Sequence, residues 1–182
     1  MERERLLSIL KEKSYEKREV TLASGRKSDF YVDCKQTTLD AEGAYLTGKL
    51  MHKVIAGMDE DVEGAGGLTL GADPIATAVS IASLDAGKPI PAFIIRKEPK
   101  GHGTGQWLEG TKNLRQGANV VIVEDVVTTG GSSLMAVKRA EESGLNVLKI
   151  IALVDRSEGG RENIEEEGYS LIALFEKKDL VD

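Results

Sequence analysis

Glu124 and Asp125 stand side by side after an unbroken apolar run, Val120-Val121-Ile122-Val123, and before Val126-Val127-Thr128-Thr129-Gly130-Gly131-Ser132. Each part has a chemical use. Paired carboxylates accept hydrogen bonds from sugar hydroxyls or help to place a metal ion. Glycines and small hydroxyl residues let the backbone turn tightly, so that successive N–H groups converge on a phosphate. A helical pattern from Leu134 adds the positive end of its dipole. These residue types describe a site for a sugar phosphate. The plainer reading is a strand–turn–helix corner with a surface acid pair. The spacing is neither that of a P-loop, which ends Gly-Lys-Ser/Thr, nor the Gly-x-Gly-x-x-Gly of dinucleotide binders.

Three further segments carry chemistry. Arg96-Lys97-Glu98-Pro99-Lys100-Gly101-His102-Gly103-Thr104-Gly105 collects the cations Arg96, Lys97, Lys100 and His102 among glycines. It cannot pack a core, and it reads either as a solvated surface loop or as a mobile loop closing over a polyanion. Arginine would grip phosphate bidentately and lysine would add point charge. Val154-Asp155-Arg156-Ser157-Glu158-Gly159-Gly160 puts an arginine where a strand ends. It is suited to a carboxylate ligand, or else to a surface ion pair with Glu158 or Asp155. Ser24-Gly25-Arg26-Lys27-Ser28-Asp29-Phe30-Tyr31 reads as a hairpin turn followed by an aromatic strand. Gly71-Ala72-Asp73-Pro74 is a loop leading into a helix start. Cys34 has no histidine near it in sequence and is assigned no nucleophilic role.

These groups need a frame. Apolar spacing predicts helices over 2–13, from Asp40 through Ile55, over 75–86, over 132–143 and near 161–167. Short strands are predicted at 20–22 and 30–32, up to Leu70, at 90–95, 119–124, 146–154 and 170–175. Strands and helices alternate from residue 40 onward, the pattern of an open, mostly parallel α/β sheet with helices on both faces. Ligands bind such sheets at the carboxyl ends of the strands, where the loops 71–74, 125–132 and 155–160 fall. The 182 residues suit one domain. A net charge of −6 opposes general nucleic-acid binding. A single cysteine excludes an internal disulfide and fits a reducing cytoplasm. Met1-Glu2-Arg3-Glu4-Arg5 does not read as a signal peptide, and no apolar stretch suits a membrane span.

The run from Val120 to Ser132 resembles the phosphoribosyl-diphosphate signature of the type I phosphoribosyltransferases. The loop at 96–105, the turn at 24–31 and the segment 155–160 narrow the resemblance to the orotate phosphoribosyltransferase family. The resemblance implies a mostly parallel twisted sheet flanked by helices in a single domain, 1–182, with residues 1–38 as a small N-terminal hood. It implies Mg²⁺-dependent transfer of ribose 5-phosphate from phosphoribosyl diphosphate to orotate in pyrimidine biosynthesis. Glu124 and Asp125 would face the ribose, with Val126 and Val127 beside them. Thr128, Thr129, Gly130, Gly131 and Ser132 would hold the 5′-phosphate. Arg96, Lys97, Lys100 and His102 would serve the diphosphate, with Lys97 and His102 reaching into the partner's site in a homodimer that shares the 96–105 loop. Lys27, Phe30, Tyr31, Thr128 and Arg156 would bind orotate, Arg156 at its carboxylate. Lys97, Lys100, His102 and Asp125 would be the catalytic set. No dedicated metal ligands are implied, because Mg²⁺ would be held mainly through substrate. The family often shows two aspartates where this chain has Glu124-Asp125, and Asp33-Cys34-Lys35 departs from the commoner bacterial pattern. A purine or uracil phosphoribosyltransferase would share the acid-pair motif without requiring Arg156. A phosphoribosyl-diphosphate-sensing regulator would keep the motif without the cationic loop.

Overall fold

A computed structural model describes residues 1–21, 27–99 and 106–181. In chain order its elements are α1 (Glu2–Lys13), β1 (Tyr15–Thr21), β2 (Lys27–Val32), α2 (Lys35–Thr38), α3 (Ala41–Ala56), β3 (Gly64–Leu68), α4 (Ala72–Asp85), β4 (Ala92–Ile95), β5 (Leu108–Glu109), β6 (Asn119–Val127), α5 (Gly131–Glu142), β7 (Asn146–Asp155), α6 (Gly160–Glu166), β8 (Leu171–Glu176) and α7 (Lys177–Leu180). The main sheet has the order β5-β4-β3-β6-β7-β8. β4, β3, β6, β7 and β8 are parallel, and β5 closes one edge antiparallel to β4. β1 and β2 form a separate antiparallel ribbon.

β6 is apolar on both faces because both faces are covered. Val121 and Val123 enter one core, Val120 and Ile122 the other. Ile151 and Leu153 of β7 point with the first pair, Ile150 and Ala152 with the second. The first core is closed by Met51 and Ile55 of α3 and by Ile75 and Val79 of α4. Leu6, Ile9 and Leu10 of α1 join it, with Phe30 and Val32 of β2, so the N-terminal segment shares its core with the sheet. The second core is closed by Ala136, Val137 and Ala140 of α5 and by Ile164 of α6. Fully burying a branched aliphatic or aromatic side chain of this kind contributes about 1.5–3 kcal/mol.

Polar contacts set the seam between the N-terminal segment and the sheet layer. Ser14 Oγ and Thr37 Oγ1 lie 2.7 Å apart in the interior. Arg5 grips Glu42 with two bonds of 2.8 and 2.6 Å. Asp40 accepts from the Gly43 N–H at 3.0 Å, capping α3 as an N-cap aspartate does, and also pairs with Lys13 at 2.9 Å.

The sheet class and alternation match the sequence-based expectation, and several boundaries move. β6 continues to Val127 rather than ending at Glu124, because its pairing with β7 runs on through Val126↔Val154 and Val127↔Asp155. The acid pair is therefore in the strand, and the connection to α5 begins at Thr128. β1 starts at Tyr15, five residues before the predicted strand at Val20. α4 starts at Ala72, with Pro74 in its first turn. The short elements α2, β5 and α7 have too few residues to leave a periodic signal. Among the described residues no helix is long and apolar enough to cross a membrane.

Candidate active site

The order β4-β3-β6-β7 makes the chain wind outward in opposite directions on either side of the β3/β6 boundary. Connections leaving adjacent strands in opposite directions open a crevice at their carboxyl ends. β3 delivers the loop Thr69–Gly71 to that crevice, and β6 delivers Glu124, Asp125 and the turn Thr128–Gly130. The two meet directly. A Cβ on Gly71 would collide with the Asp125 carboxylate, so glycine is the residue that lets this side chain lie against the loop. Asp125 Oδ1 also accepts from the Val126 N–H at 2.9 Å. Within the loop, Thr69 Oγ1 donates to Asp73 Oδ2 at 2.6 Å, tying the end of β3 to the first turn of α4.

Glu124 points the other way, into the protein, and retains 5% exposure. Ser133 Oγ, on the first turn of α5, donates to its Oε2 at 3.3 Å. Burial, reinforced by the neighbouring Asp125 carboxylate, pushes the Glu124 carboxyl up to about 8. The two acids are adjacent in sequence and chemically unlike: one is buried and biased towards its neutral form, the other half-buried at the crevice.

The turn after β6 is held by its neighbour. Gly130 adopts a φ of 81°, and a Cβ there would press on the Gly160 carbonyl. Gly160 in turn lies against the Thr128 carbonyl and Val127. Asn163 Nδ2 of α6 donates to the Thr129 carbonyl at 2.9 Å. Thr129, Gly131 and Ser132 are exposed, Thr128 is half-buried, and among the described residues a Cβ on Gly131 would have open space around it. The first N–H groups of α5 have no acceptor within the helix, so this turn offers an anion both free donors and a helix dipole. Val127 sends its side chain into the second core and its carbonyl to the Arg156 N–H at 2.9 Å. Val126 packs on the first core. Any ligand contact from these two valines is through backbone.

Arg156 follows β7 directly and is 8% exposed. Glu158 Oε1 accepts from its Nη2 at 2.9 Å and from its Nε at 3.2 Å. Nη2 also donates to the Phe30 carbonyl at 3.2 Å. The pair with Glu158 is thus an interior clamp that orients the guanidinium. Asp155 faces Arg161, whose Nη2 is 3.2 Å from Oδ2, and takes the Ser157 N–H at 2.8 Å. Ser157 has a φ of 54°, a region that non-glycine residues seldom use. Phe30 is 1% exposed and stacks on Tyr15 with centroids 5.2 Å apart, so its ring belongs to the core that supports Arg156. Tyr31 is half-buried, with the Arg18 guanidinium 3.9 Å from its ring centroid.

Arg96 and Trp107 close the base of the cationic segment. The Arg96 N–H donates to the Trp107 carbonyl at 2.8 Å, and Ile95 pairs with Leu108. The Arg139 guanidinium lies 3.3 Å from the centroid of the Trp107 ring. Arg96 itself pairs with Glu109 at 3.2 Å, and Lys97 is exposed. Lys100 and His102 lie outside the described residues, as do the turn positions 22–26; Lys27 opens β2 at the edge of that gap. Cys34 is buried, and burial pushes its thiol well above the ordinary range, so it is not a reactive thiolate. Sequence reading missed Ser133, Asn163 and the Thr69–Asp73 tie, and it offered the Arg156–Glu158 pair only at the surface, where the structure buries it. All act by bonds between segments distant in the chain or between side chains whose types are common in loops.

The match to a phosphoribosyl transferase domain covers residues 65–171, from β3 to β8. The orotate phosphoribosyltransferase of Aquifex aeolicus is 48% identical over the whole of this chain and 98% of its own. The chain belongs to the orotate phosphoribosyltransferase family. Two solved structures of the Mycobacterium tuberculosis orotate phosphoribosyltransferase agree across 99% of both chains. One, with Fe(III) dicitrate, has a TM-score of 0.86 at 40% identity. The other, with 5-phospho-α-D-ribosyl 1-diphosphate, has a TM-score of 0.82 at 38% identity.

Burial of Glu124 has a consequence for stability. Its folded-state value of about 8 lies above the ordinary 4.5, so the folded protein holds this proton more tightly than the unfolded chain. That contribution is complete below pH 4.5 and is lost as pH rises through 8. Glu124→Gln, which keeps the shape without the ionisation, should gain melting temperature relative to wild type between pH 6 and 9. A difference in Tm that is constant across this range would refute the burial argument.

Proposed function

We propose that this chain is a pentosyltransferase that moves ribose 5-phosphate from phosphoribosyl diphosphate to orotate, releasing diphosphate and forming orotidine 5′-monophosphate in pyrimidine biosynthesis. The observation that carries the reading is the convergence at the β3/β6 crevice. There the Asp125 carboxylate, the open turn Thr128–Ser132 and the Thr69–Gly71 loop meet within one strand of the clamped Arg156. The phosphate turn receives the 5′-phosphate, and Asp125 faces the ribose hydroxyls, with Glu124 behind it. Arg156, aimed by Glu158, receives the carboxylate of orotate, for which a guanidinium makes paired bonds. Tyr31 borders the base, where the family resemblance also calls for Lys27, and Phe30 contributes its backbone.

The chemistry suits a transition state in which positive charge grows on the ribose and negative charge on the leaving diphosphate. No acid–base dyad is then needed, and rate comes from positioning and electrostatic complementarity. Asp125 stands where the ribose charge develops. Arg96, Lys97, Lys100 and His102 would supply the positive charge that the leaving diphosphate needs. Mg²⁺ bound with the diphosphate supplies charge neutralisation. The residues present fit such an ion, since Asp73 and Asp125 offer hard carboxylate oxygens and Asp73 Oδ1 is buried without a hydrogen-bond partner among the described residues.

The reading includes one folding unit, supported by the core shared from Leu6 to Leu180, and a cytoplasmic homodimer. The dimer is supported by an exposed apolar face on α3 and α4, with Tyr45 59%, Ile81 60% and Leu84 65% exposed. Leu39 and Leu70 extend this face to the edge of the crevice, at 72% and 71% exposure. Lys49 and Lys53 of α3 share a groove on this face with Asp85 of α4, a self-complementary arrangement for two copies. Lys97 and His102 would then reach the partner's crevice, with Arg96 and Lys100 serving that of their own subunit.

Incubation with phosphoribosyl diphosphate, Mg²⁺ and one base at a time tests the activity. Orotate should be consumed, and turnover of adenine, hypoxanthine or uracil instead would overturn the reading. Arg156→Ala should raise the KM for orotate by about tenfold or more, the loss of a charged hydrogen-bond pair, with a far smaller effect on the donor. Equal effects on both substrates would reject its role. Mixing inactive Lys97→Ala and Asp125→Ala subunits should restore part of the activity in hybrid dimers, because one of the two sites is then intact. Verified hybrids without recovery would exclude a shared loop.

A further inference from the structure

The acid pair and the phosphate turn account for the ribose 5-phosphate end of the donor. In the proposed reading the diphosphate end lies towards the loop between β3 and α4, which meets Asp125 at Gly71, and that loop carries no cation. Thr69-Leu70-Gly71-Ala72-Asp73-Pro74 offers backbone N–H groups and one carboxylate. A diphosphate beside Asp73 needs compensating positive charge from another segment.

Lys35 is placed to supply it. It opens α2 and shares a cavity of about 560 Å³ with Leu70, Asp73, Pro74 and Thr77. Its Nζ rests 2.7 Å from Asp33 Oδ1, with 44% of the side chain exposed. Asp33 also takes the Lys35 N–H at 3.2 Å and Gln36 Nε2 at 3.2 Å. This knot of bonds fixes where the lysine stem leaves the backbone. Its bond to Asp33 raises the Lys35 ammonium above its usual range, and the field of Asp125 adds to that. Lys35 therefore lies within the field of Asp125 and lines the same cavity as the Thr69–Pro74 loop. A half-exposed ion pair of this kind is weak, so the flexible stem can be drawn from Asp33 to a more highly charged ligand. Lysine suits the task as a compact charge on a mobile arm.

We propose that Lys35 is a donor-binding residue: it leans from Asp33 over the Thr69–Pro74 loop and supplies the cation that the loop lacks for the diphosphate. The inference deepens the proposed function and rests on it. Lys35 then acts from the subunit's own fold, independently of the 96–105 segment.

The test uses the purified full-length protein and the variants Lys35→Ala, Lys35→Gln and Lys35→Arg. Calorimetric titration with Mg²⁺ and inorganic diphosphate should show affinity falling by about tenfold or more in Lys35→Ala and Lys35→Gln, with Lys35→Arg recovering most of it. In steady state the KM for phosphoribosyl diphosphate should rise by a similar factor, while that for orotate stays within about twofold of wild type. Unchanged diphosphate affinity and donor KM in a folded Lys35→Ala protein would overturn the proposal. So would a loss that tracks a changed oligomeric state or an equal rise in both KM values, either of which would make Lys35 a structural residue. Should wild type bind diphosphate yet leave orotate unconsumed, the proposed function fails, and the calorimetric comparison still decides Lys35.

Discussion

The contact of the Asp125 carboxylate with the backbone of Gly71 ties the site together. It joins the end of β6 to the loop after β3, two segments that the sheet order brings side by side at the point where the chain changes winding direction. With any side chain at residue 71 the carboxylate would be displaced, and the β3 and β6 sides of the crevice would separate. The rest of the site radiates from that contact: the open turn beyond β6, the clamped arginine beyond β7, and Lys35 entering from the N-terminal segment.

The acid pair shows how neighbouring residues of one charge type acquire different behaviour from their surroundings. Strand geometry sends consecutive side chains to opposite faces. Glu124 is therefore turned into the protein towards Ser133 while Asp125 remains at the crevice. A glutamate at the inward position reaches Ser133 on the first turn of α5, linking the strand to the helix that follows it. The same economy appears at Arg156, where Glu158 and the Phe30 carbonyl together hold a guanidinium that is almost fully buried. Interior charges of this kind are costly unless paired, and here the pairing also aims the donor groups.

Much of this was legible from residue order alone. Val120 to Ser132 announced its strand, acids and phosphate turn because a buried parallel strand is a continuous apolar run and a phosphate turn needs glycine. Arg156 was recognisable from its place at a strand end. What stayed hidden had physical reasons. β6 outlasts its predicted end because pairing with β7, a non-local contact, continues past the acids. α2 and α7 are too short for periodicity to register. Ser133 and Asn163 are ordinary residue types whose roles exist only through their bonds to other segments, and the Arg156–Glu158 pair, though local, did not announce its burial. Phe30 looked like a base-stacking aromatic, yet its ring fills the core behind Arg156, a distinction that alternation in so short a strand does not make.

By itself, then, the sequence determined the chemistry available: carboxylates for a sugar, a glycine turn for a phosphate, cations for a polyanion and an arginine for a carboxylate. Those follow from side-chain type and local spacing, which are properties of the chain before it folds. Only the tertiary structure decided which of these groups meet, which acid is buried and which is at the crevice, and that Lys35 lines one cavity with the loop that lacks a cation. Such relations depend on strand order and on close backbone approach. Both are set by the packing of residues far apart in sequence, and neither leaves a mark on any single segment.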